Sequence, residues 1–470
     1  VSSRAVGVIV ALIAWSTAVS SQNIDRSKRP AIAPPPAFKF PKSITHTFAN
    51  GLRLVIVEDH ALPLVATRIV LGVDSTADPA GKEGLYAVAL GALREGTTSM
   101  TPDQLGDAFA DVGTTVAPTG FTTTTSGFPR GLALAGDMLM HPLLDQAGVD
   151  RRKATQAASA RRIAQSPITV PRHLFYAALY GADDPYVRSL VPTEASIAAI
   201  TREDVTRFYD QHIGPNTTTI VLAGDVGEAV ALAEVTSVFG GWQTRSVPAQ
   251  SESSTSATQR PTTIYLHDVP GTQAYLYLGN AGPPRTSPEF YPVEAAAAVS
   301  GMRMQQALRE KRSFMYSGNA GMIWRHAPAP STYVGSTSVN AAKVDSALVE
   351  WLSLLRGLRG DRPATMPELD AVRRSRVGAL PARIDGPDSL AARVVEMVRD
   401  GLRLDYFEQY ATRMTSVTAT DVAMAASKYF DLEHLIIVVT GDRATIEPAL
   451  RTANIAPVVV VDANGKPIDR

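Results

Sequence analysis

The chain has 470 residues, of which 45% are hydrophobic and 19% charged, a balance that suits a folded soluble protein of two or more domains. Lys plus Arg equals Asp plus Glu at 45 each, so the formal net charge is zero and no bulk attraction to nucleic acid or anionic lipid is expected. The absence of cysteine excludes disulfides, thiolate nucleophiles and cysteine metal sites.

Arg4 precedes an apolar run from Ala5 to Trp15, followed by small residues from Ser16 to Ser21. This pattern predicts a signal peptide over residues 1–22 and a periplasmic protein; an uncleaved membrane anchor is the alternative. The run is shorter than the ~20 apolar residues of a spanning helix, so no stable membrane span is expected after cleavage. Residues 23–44, with Pro34-Pro35-Pro36, read as a Pro-rich linker.

A first domain is expected over residues 45–245. Leu52–Glu58 and Leu64–Val73 read as strands, and a helix follows near Glu83–Arg94. Thr101, Pro102 and Gln104 supply an N-cap, a first-turn proline and a capping-box partner, so a second helix starts there. Val112–Pro118 and Phe121–Phe128 look like two Thr-rich strands. The polar stretch within residues 246–261 reads as an interdomain linker. The second domain, residues 262–455, has strands at Thr263–Asp268 and Ala274–Leu278, then a long helix at Pro292–Arg312. Strands at Phe314–Trp324 and Tyr333–Val339 come next, then several helices and a tail over 456–470.

The two domains echo each other. Thr201 opens a helix that leads to a buried strand ending at Gly224-Asp225, and Thr418 does the same toward Gly441-Asp442. The offset is 217 residues at both ends (418 − 201 and 442 − 225), so no gap separates the copies. The expected architecture is α+β: two duplicated domains, each a mainly antiparallel sheet with helices packed on one face, arranged as a clamshell.

The helix near Glu83–Arg94 carries the most informative residues. Gly84-Leu85 and Gly96-Thr97 flank Tyr86-Ala87-Val88-Ala89-Leu90-Gly91. These flanks resemble those of the pitrilysin/insulinase-like zinc peptidases (inverzincins), whose motif reads Gly-Leu-x-His-x-x-Glu-His and then Gly-Thr. In that motif two His on one helical face bind zinc and the Glu activates a metal-bound water. On this resemblance Ala87 and Gly91 stand at the His positions and Leu90 at the Glu position, and none can ligate a metal or move a proton. The family's third ligand is a Glu on a later helix. The corresponding stretch from Arg151 to Ala182 contains no Asp or Glu and carries Arg151, Arg152, Lys153, Arg161, Arg162 and Arg172. Scattered histidines such as His46, His60, His141 and His267 are not paired at helical spacing and read as surface or satisfied core residues.

In the second domain, Arg303-Met-Gln-Gln-Ala-Leu-Arg-Glu-Lys-Arg-Ser-Phe-Met-Tyr-Ser317 resembles the family segment that supplies an Arg and a Tyr to the substrate. Arg309 and Tyr316 hold those places, seven residues apart (316 − 309). A guanidinium can grip a peptide carbonyl and a phenol can donate to an oxyanion. Arg309 also reads as a solvated helix-end cation, and Tyr316 as a strand residue packed on the core. Ser313 replaces the family's usual Gly in the turn. Thr122–Thr125 lies where the family's substrate-pairing strand runs, and reads equally as an ordinary half-exposed strand.

The resemblance covers nearly everything from Thr45 to Asp442. It implies a zinc-free, non-catalytic subunit of a two-chain metallopeptidase. No cofactor is expected on this chain, zinc is expected on a homologous partner subunit, and an extended peptide is the expected ligand. The alternative is a stand-alone peptide- or protein-binding scaffold of the same fold. A divergent hydrolase ranks last, because no nucleophile–base pair is readable; no P-loop, nucleophile elbow or dinucleotide fingerprint is visible either. The basic run Arg373-Arg374-Ser375-Arg376 reads as a solvated helix face, and nucleic acid is not an expected partner.

Overall fold

The structure, a computed structural model, describes residues 38–247, 260–326 and 329–468, with the side chain of Tyr316 outside the described part. The expected signal segment, most of the Pro-rich linker and most of the interdomain linker lie outside the described residues.

The first half runs β1 (Ser43–Thr47), β2 (Arg53–Glu58), β3 (Leu64–Leu71), α1 (Leu85–Ala92), α2 (Pro102–Asp111), β4 (Gly120–Thr124) and α3 (Phe128–Met140). It continues with α4 (Gln146–Gln165), α5 (Thr169–Tyr180), α6 (Pro185–Ser189), α7 (Glu194–Ala198), α8 (Arg202–His212), β5 (Thr218–Gly224) and α9 (Glu228–Phe239). The second half runs β6 (Thr263–Asp268), β7 (Gln273–Ala281), α10 (Phe290–Met304), β8 (Met315–Ile323), β9 (Thr332–Asn340), α11 (Val344–Arg359) and α12 (Met366–Arg376). It closes with α13 (Pro387–Arg399), α14 (Tyr406–Ser416), α15 (Ala419–Tyr429), β10 (Ile436–Gly441), α16 (Arg443–Ala453) and β11 (Val458–Val461).

Two sheets result, in the orders β1-β2-β5-β3-β4 and β11-β6-β10-β7-β9-β8. Most pairings are antiparallel; β2–β5, β6–β10 and β11–β6 are parallel. The duplicated unit is visible in both. Thr201 and Thr418 each form a full capping box, with Asp204 and Asp421, and open α8 and α15. The helices lead to β5 and β10, which are buried along their whole length. A strand buried on both faces has no reason to alternate polar and apolar residues, which explains the unbroken Ile436-Ile-Val-Val439 run.

The covering of the second face comes from the opposite half. Leu54 and Ile56 of β2 and Ile220 and Leu222 of β5 pack into the first domain's own core. Their alternates Val55, Val57, Val221 and Ala223 pack with Leu390, Ala391, Val394 and Met397 of α13. Reciprocally, Ile436 and Val438 of β10 pack with Leu174, Phe175, Tyr176 and Leu179 of α5. These two helices start 218 residues apart (387 − 169), so the exchange follows the internal duplication. Leu390, Val394 and Met397 are fully buried, each contributing about 1.5–3 kcal/mol.

Two expected strands differ from what is observed. Val112–Pro118 forms no strand. Val112 ends α2, Gly113 is left-handed, and the Thr114 amide donates back to the Phe109 carbonyl, a helix-ending turn that uses up the segment. The strand expected at Phe121–Phe128 is confined to Gly120–Thr124, and Phe128 already begins α3. As a result β4 is the edge of its sheet, whereas β9, its counterpart beside β7, has β8 outside it. Residues 458–461, within the segment read as a tail, form β11 on the outer side of β6.

Candidate functional site: a degenerate metal motif beside a basic cleft

Helix α1 begins at Gly84, whose φ of +105° is left-handed and whose Cβ, if present, would run into Ile197. Gly96, at the other flank, has φ +103°, and a Cβ there would lie 2.8 Å from the Met100 carbonyl oxygen. Backbone geometry therefore demands glycine at both flanks of the motif, whether or not metal is bound. The buried carboxylate of Asp78 caps the helix, accepting from the Gly84 and Tyr86 amides, each at 2.7 Å. Burial pushes its pKa up to about 6 against the opposing pull of those two amides.

Leu85, Val88, Ala89 and Ala92 are the buried face of α1. Ala87, Leu90 and Gly91, which the resemblance sets at the family's metal and catalytic positions, are half-buried. A Cβ on Gly91 would lie 2.9 Å from Arg152 Cδ and 3.3 Å from Cγ, so the stem of Arg152 on α4 occupies the space beside it. The Arg152 guanidinium pairs with Glu95, which is only 3% exposed, and Arg151 Nε donates to the same carboxylate at 2.6 Å. Methyl, isobutyl and hydrogen side chains have no lone pairs, and the charged side chain beside Gly91 is a cation. The residues present do not fit zinc. Among the described residues, no group of three or more His, Asp or Glu could hold a metal ion. His60 and His141 instead pair with Asp225 and Asp137 at 2.6 and 3.1 Å, and His267 Nδ1 lies 3.1 Å from the Val461 carbonyl.

Arg309 and Tyr316 sit on the other half. Helix α10 runs on into a π-helical turn, Gln305–Lys311, which carries Arg309 as an exposed side chain. Ser313 then takes the left-handed conformation, φ +53°, as the family's glycine there would suggest. The Phe314 amide closes the turn on the Leu308 carbonyl at 2.7 Å. Tyr316 lies on β8, an edge strand, where the pairing with β9 shifts register between Met315 and Gly318. The Thr-rich strand is β4: Thr123 is buried with its hydroxyl on the Val112 carbonyl, while Thr122 reaches Asp388 of α13.

A cleft of about 740 Å³ opens on the α13 face of the first sheet, beside the last turns of that helix. Arg53, Arg68, Asp74, Tyr86, His326 and Arg399 supply its charged and aromatic lining. Tyr86, directly before Ala87, links it to the motif helix, and burial raises its phenol pKa. Arg309 does not line it. Behind the cleft lies a buried ionic cluster that sequence reading missed. Arg285 bridges Glu396 and Asp400, and His326 Nδ1 lies 2.9 Å from Asp400. Burial works to raise the Asp400 pKa, but His326 and Arg285 outweigh it and hold the carboxyl below its usual range. The cluster joins residues 285, 326 and 400, and no local motif announces it.

A duplicated α+β fold with left-handed glycines at the flanks of the helix and no metal ligand between them is what the resemblance to the pitrilysin/insulinase-like (M16) peptidases implies for a zinc-less relative. Comparison with known proteins agrees. Residues 199–375 match the family model described as the peptidase M16 inactive domain. An uncharacterized zinc protease of Streptomyces coelicolor is 25% identical over 197 residues, which is 40% of this chain and 43% of that relative's length. The peptidase M16 inactive domain from Pseudomonas fluorescens superposes with TM-score 0.75 at 19% identity, over 85% of this chain and 98% of that one. A protease from Helicobacter pylori gives 0.76 at 17% identity, over 85% and 99%. The first half of the periplasmic protease PqqL from Escherichia coli gives 0.69 at 15%, over 89% and 98%. The chain thus shares its fold with M16-type structures, and over residues 199–375 it matches the M16 inactive domain.

Proposed function

We propose that this chain is the zinc-free, non-catalytic subunit of a two-chain M16-type metallopeptidase, which binds and positions peptide for a zinc-bearing homologue. The carrying observation is the motif helix itself, with Ala87, Leu90 and Gly91 in place of ligands and the stem of Arg152 beside Gly91. The match to the M16 inactive domain supports it, as does the retention of the Arg309–Tyr316 segment. In this reading Arg309 and Tyr316 contact the peptide near the partner's metal. A periplasmic location fits the apolar run after Arg4. Among the described residues no helix is long and apolar enough to cross a membrane.

The test is reconstitution with the zinc-bearing homologue from the same organism. The isolated chain should neither bind zinc stoichiometrically nor cleave peptide, and the mixture should cleave. Within the mixture, Arg309→Ala or Tyr316→Phe should lower kcat/KM by roughly a hundredfold while subunit affinity stays unchanged. Cleavage by the isolated chain would end the proposal. Stable peptide binding with no active partner would instead favour the stand-alone scaffold.

A further inference from the structure

The 740 Å³ cleft has a composition that the Arg309–Tyr316 segment does not explain. Three arginines and one aspartate line it, a balance of +2 before His326 is counted. The chain as a whole is neutral, so this charge is concentrated locally. The single lining carboxylate is already engaged: Asp74 accepts from the Thr76 amide at 2.8 Å and from its hydroxyl at 2.5 Å. Arg68 is engaged too, on Asp388 and on the Thr67 and Phe121 carbonyls.

Arg53 and Arg399 differ. Arg53 follows Val57 and Val55 on the α13 face of β2, is exposed, and makes no ion pair among the described residues. Arg399, at the end of α13, is 57% exposed and reaches Asp400 only at 4.0 Å, while that carboxylate is taken up by Arg285 and His326. His326 is held at Nδ1 by Asp400, which leaves Nε2 as its remaining ring nitrogen. Val70, Val395 and Val398 give the cleft an apolar wall, and its volume lies in the range of ligand pockets, roughly 300–1,000 Å³.

We propose that this cleft is a carboxylate-binding subsite, in which Arg53, Arg399 and His326 receive an acidic stretch or terminus of the bound peptide. The proposal rests on the peptide-binding reading above and adds a substrate class to it: acidic peptides. Guanidinium–carboxylate hydrogen bonds are the strong, charge-assisted kind, and beside an apolar wall they are less screened than on open surface.

The experiment is fluorescence anisotropy on the purified full chain with four labelled peptides of equal length. One is Glu-rich with a free C-terminus, the second is its C-terminal amide, and the third and fourth are C-terminal amides with Gln or Lys in place of Glu. The Glu-rich free-acid peptide should bind at least about tenfold tighter than the Gln amide, and added salt should erode the difference. Loss of affinity on amidation assigns the C-terminal carboxylate, and an unchanged affinity assigns the side chains. In the double variant Arg53→Gln/Arg399→Gln the preference should vanish, with the melting temperature and the Gln-peptide affinity unchanged. Equal affinities in the parent, or a preference that survives the double variant, would overturn the subsite while leaving peptide binding intact. Failure of every peptide to bind would sink the peptide-binding reading itself, and the subsite with it.

Discussion

Replacing Ala87 and Gly91 by His and Leu90 by Glu would rewrite α1 in the sequence of a zinc site, yet the structure predicts that no useful site would form. The Gly91→His side chain must displace Arg152, whose Cδ lies 2.9 Å from the position of the new Cβ. Overpacking of this kind costs about 1–3 kcal/mol. Moving Arg152 also weakens its pairing with Glu95, worth about 1 kcal/mol for a guanidinium still a quarter exposed. The sum is about 2–4 kcal/mol, and in so long a chain each kcal/mol shifts Tm by about 2 °C or less. Two histidines also fall short of the three or four convergent ligands zinc requires. Adding Arg152→Glu should relieve the crowding and supply an oxygen ligand from α4. Zinc titration calorimetry and thermal melts with and without zinc separate the cases. The triple variant should melt several degrees lower and take zinc weakly, while the quadruple variant should gain affinity and a zinc-dependent rise in Tm. If the triple variant binds zinc tightly at undiminished Tm, Arg152 does not fill the site. If the fourth change adds nothing, position 152 does not face the motif.

Other consequences concern the backbone and pH. Ser313 sits at φ +53°, a conformation that costs an L-residue about 1–2 kcal/mol, part of which glycine returns through its freer unfolded chain. Ser313→Gly should therefore stabilise by up to about 1 kcal/mol in urea denaturation, and a loss of stability would contradict the turn geometry. The buried Asp78 carboxyl titrates near 6 in the folded protein, about two units above its value in an unfolded chain. Between roughly pH 4 and 6 the native state then holds a proton that the unfolded chain has released. This group's contribution makes folding less favourable as pH rises through that window, by up to about 3 kcal/mol, and is constant above it. Asp78→Asn should flatten that part of the stability profile measured by denaturant unfolding, and an unchanged slope would show that Asp78 ionises normally.

How much of this was legible beforehand depended on the range of the interactions involved. That α1 offers no zinc ligand at Ala87, Leu90 and Gly91 is a property of three side chains, legible without any fold. The capping box at Thr101 and the N-caps at Thr201 and Thr418 are equally local, since each joins residues a few positions apart, and all three formed. The duplication was visible because the two copies keep the same spacing. The strand expected at Val112–Pro118 failed because β propensity is weak beside a helix-ending turn around Gly113.

Sequence alone determined what this protein cannot do at α1, because absent lone pairs cannot be restored by packing. Only the tertiary structure decided what fills the vacated place and where a charged ligand could sit. Arg152 meets Gly91, α5 and α13 cross to the opposite sheets, and Arg53 shares a cleft with His326 and Arg399. Such meetings join residues tens to hundreds of positions apart, and burial of both faces of each sheet, rather than any local pattern, brings them together.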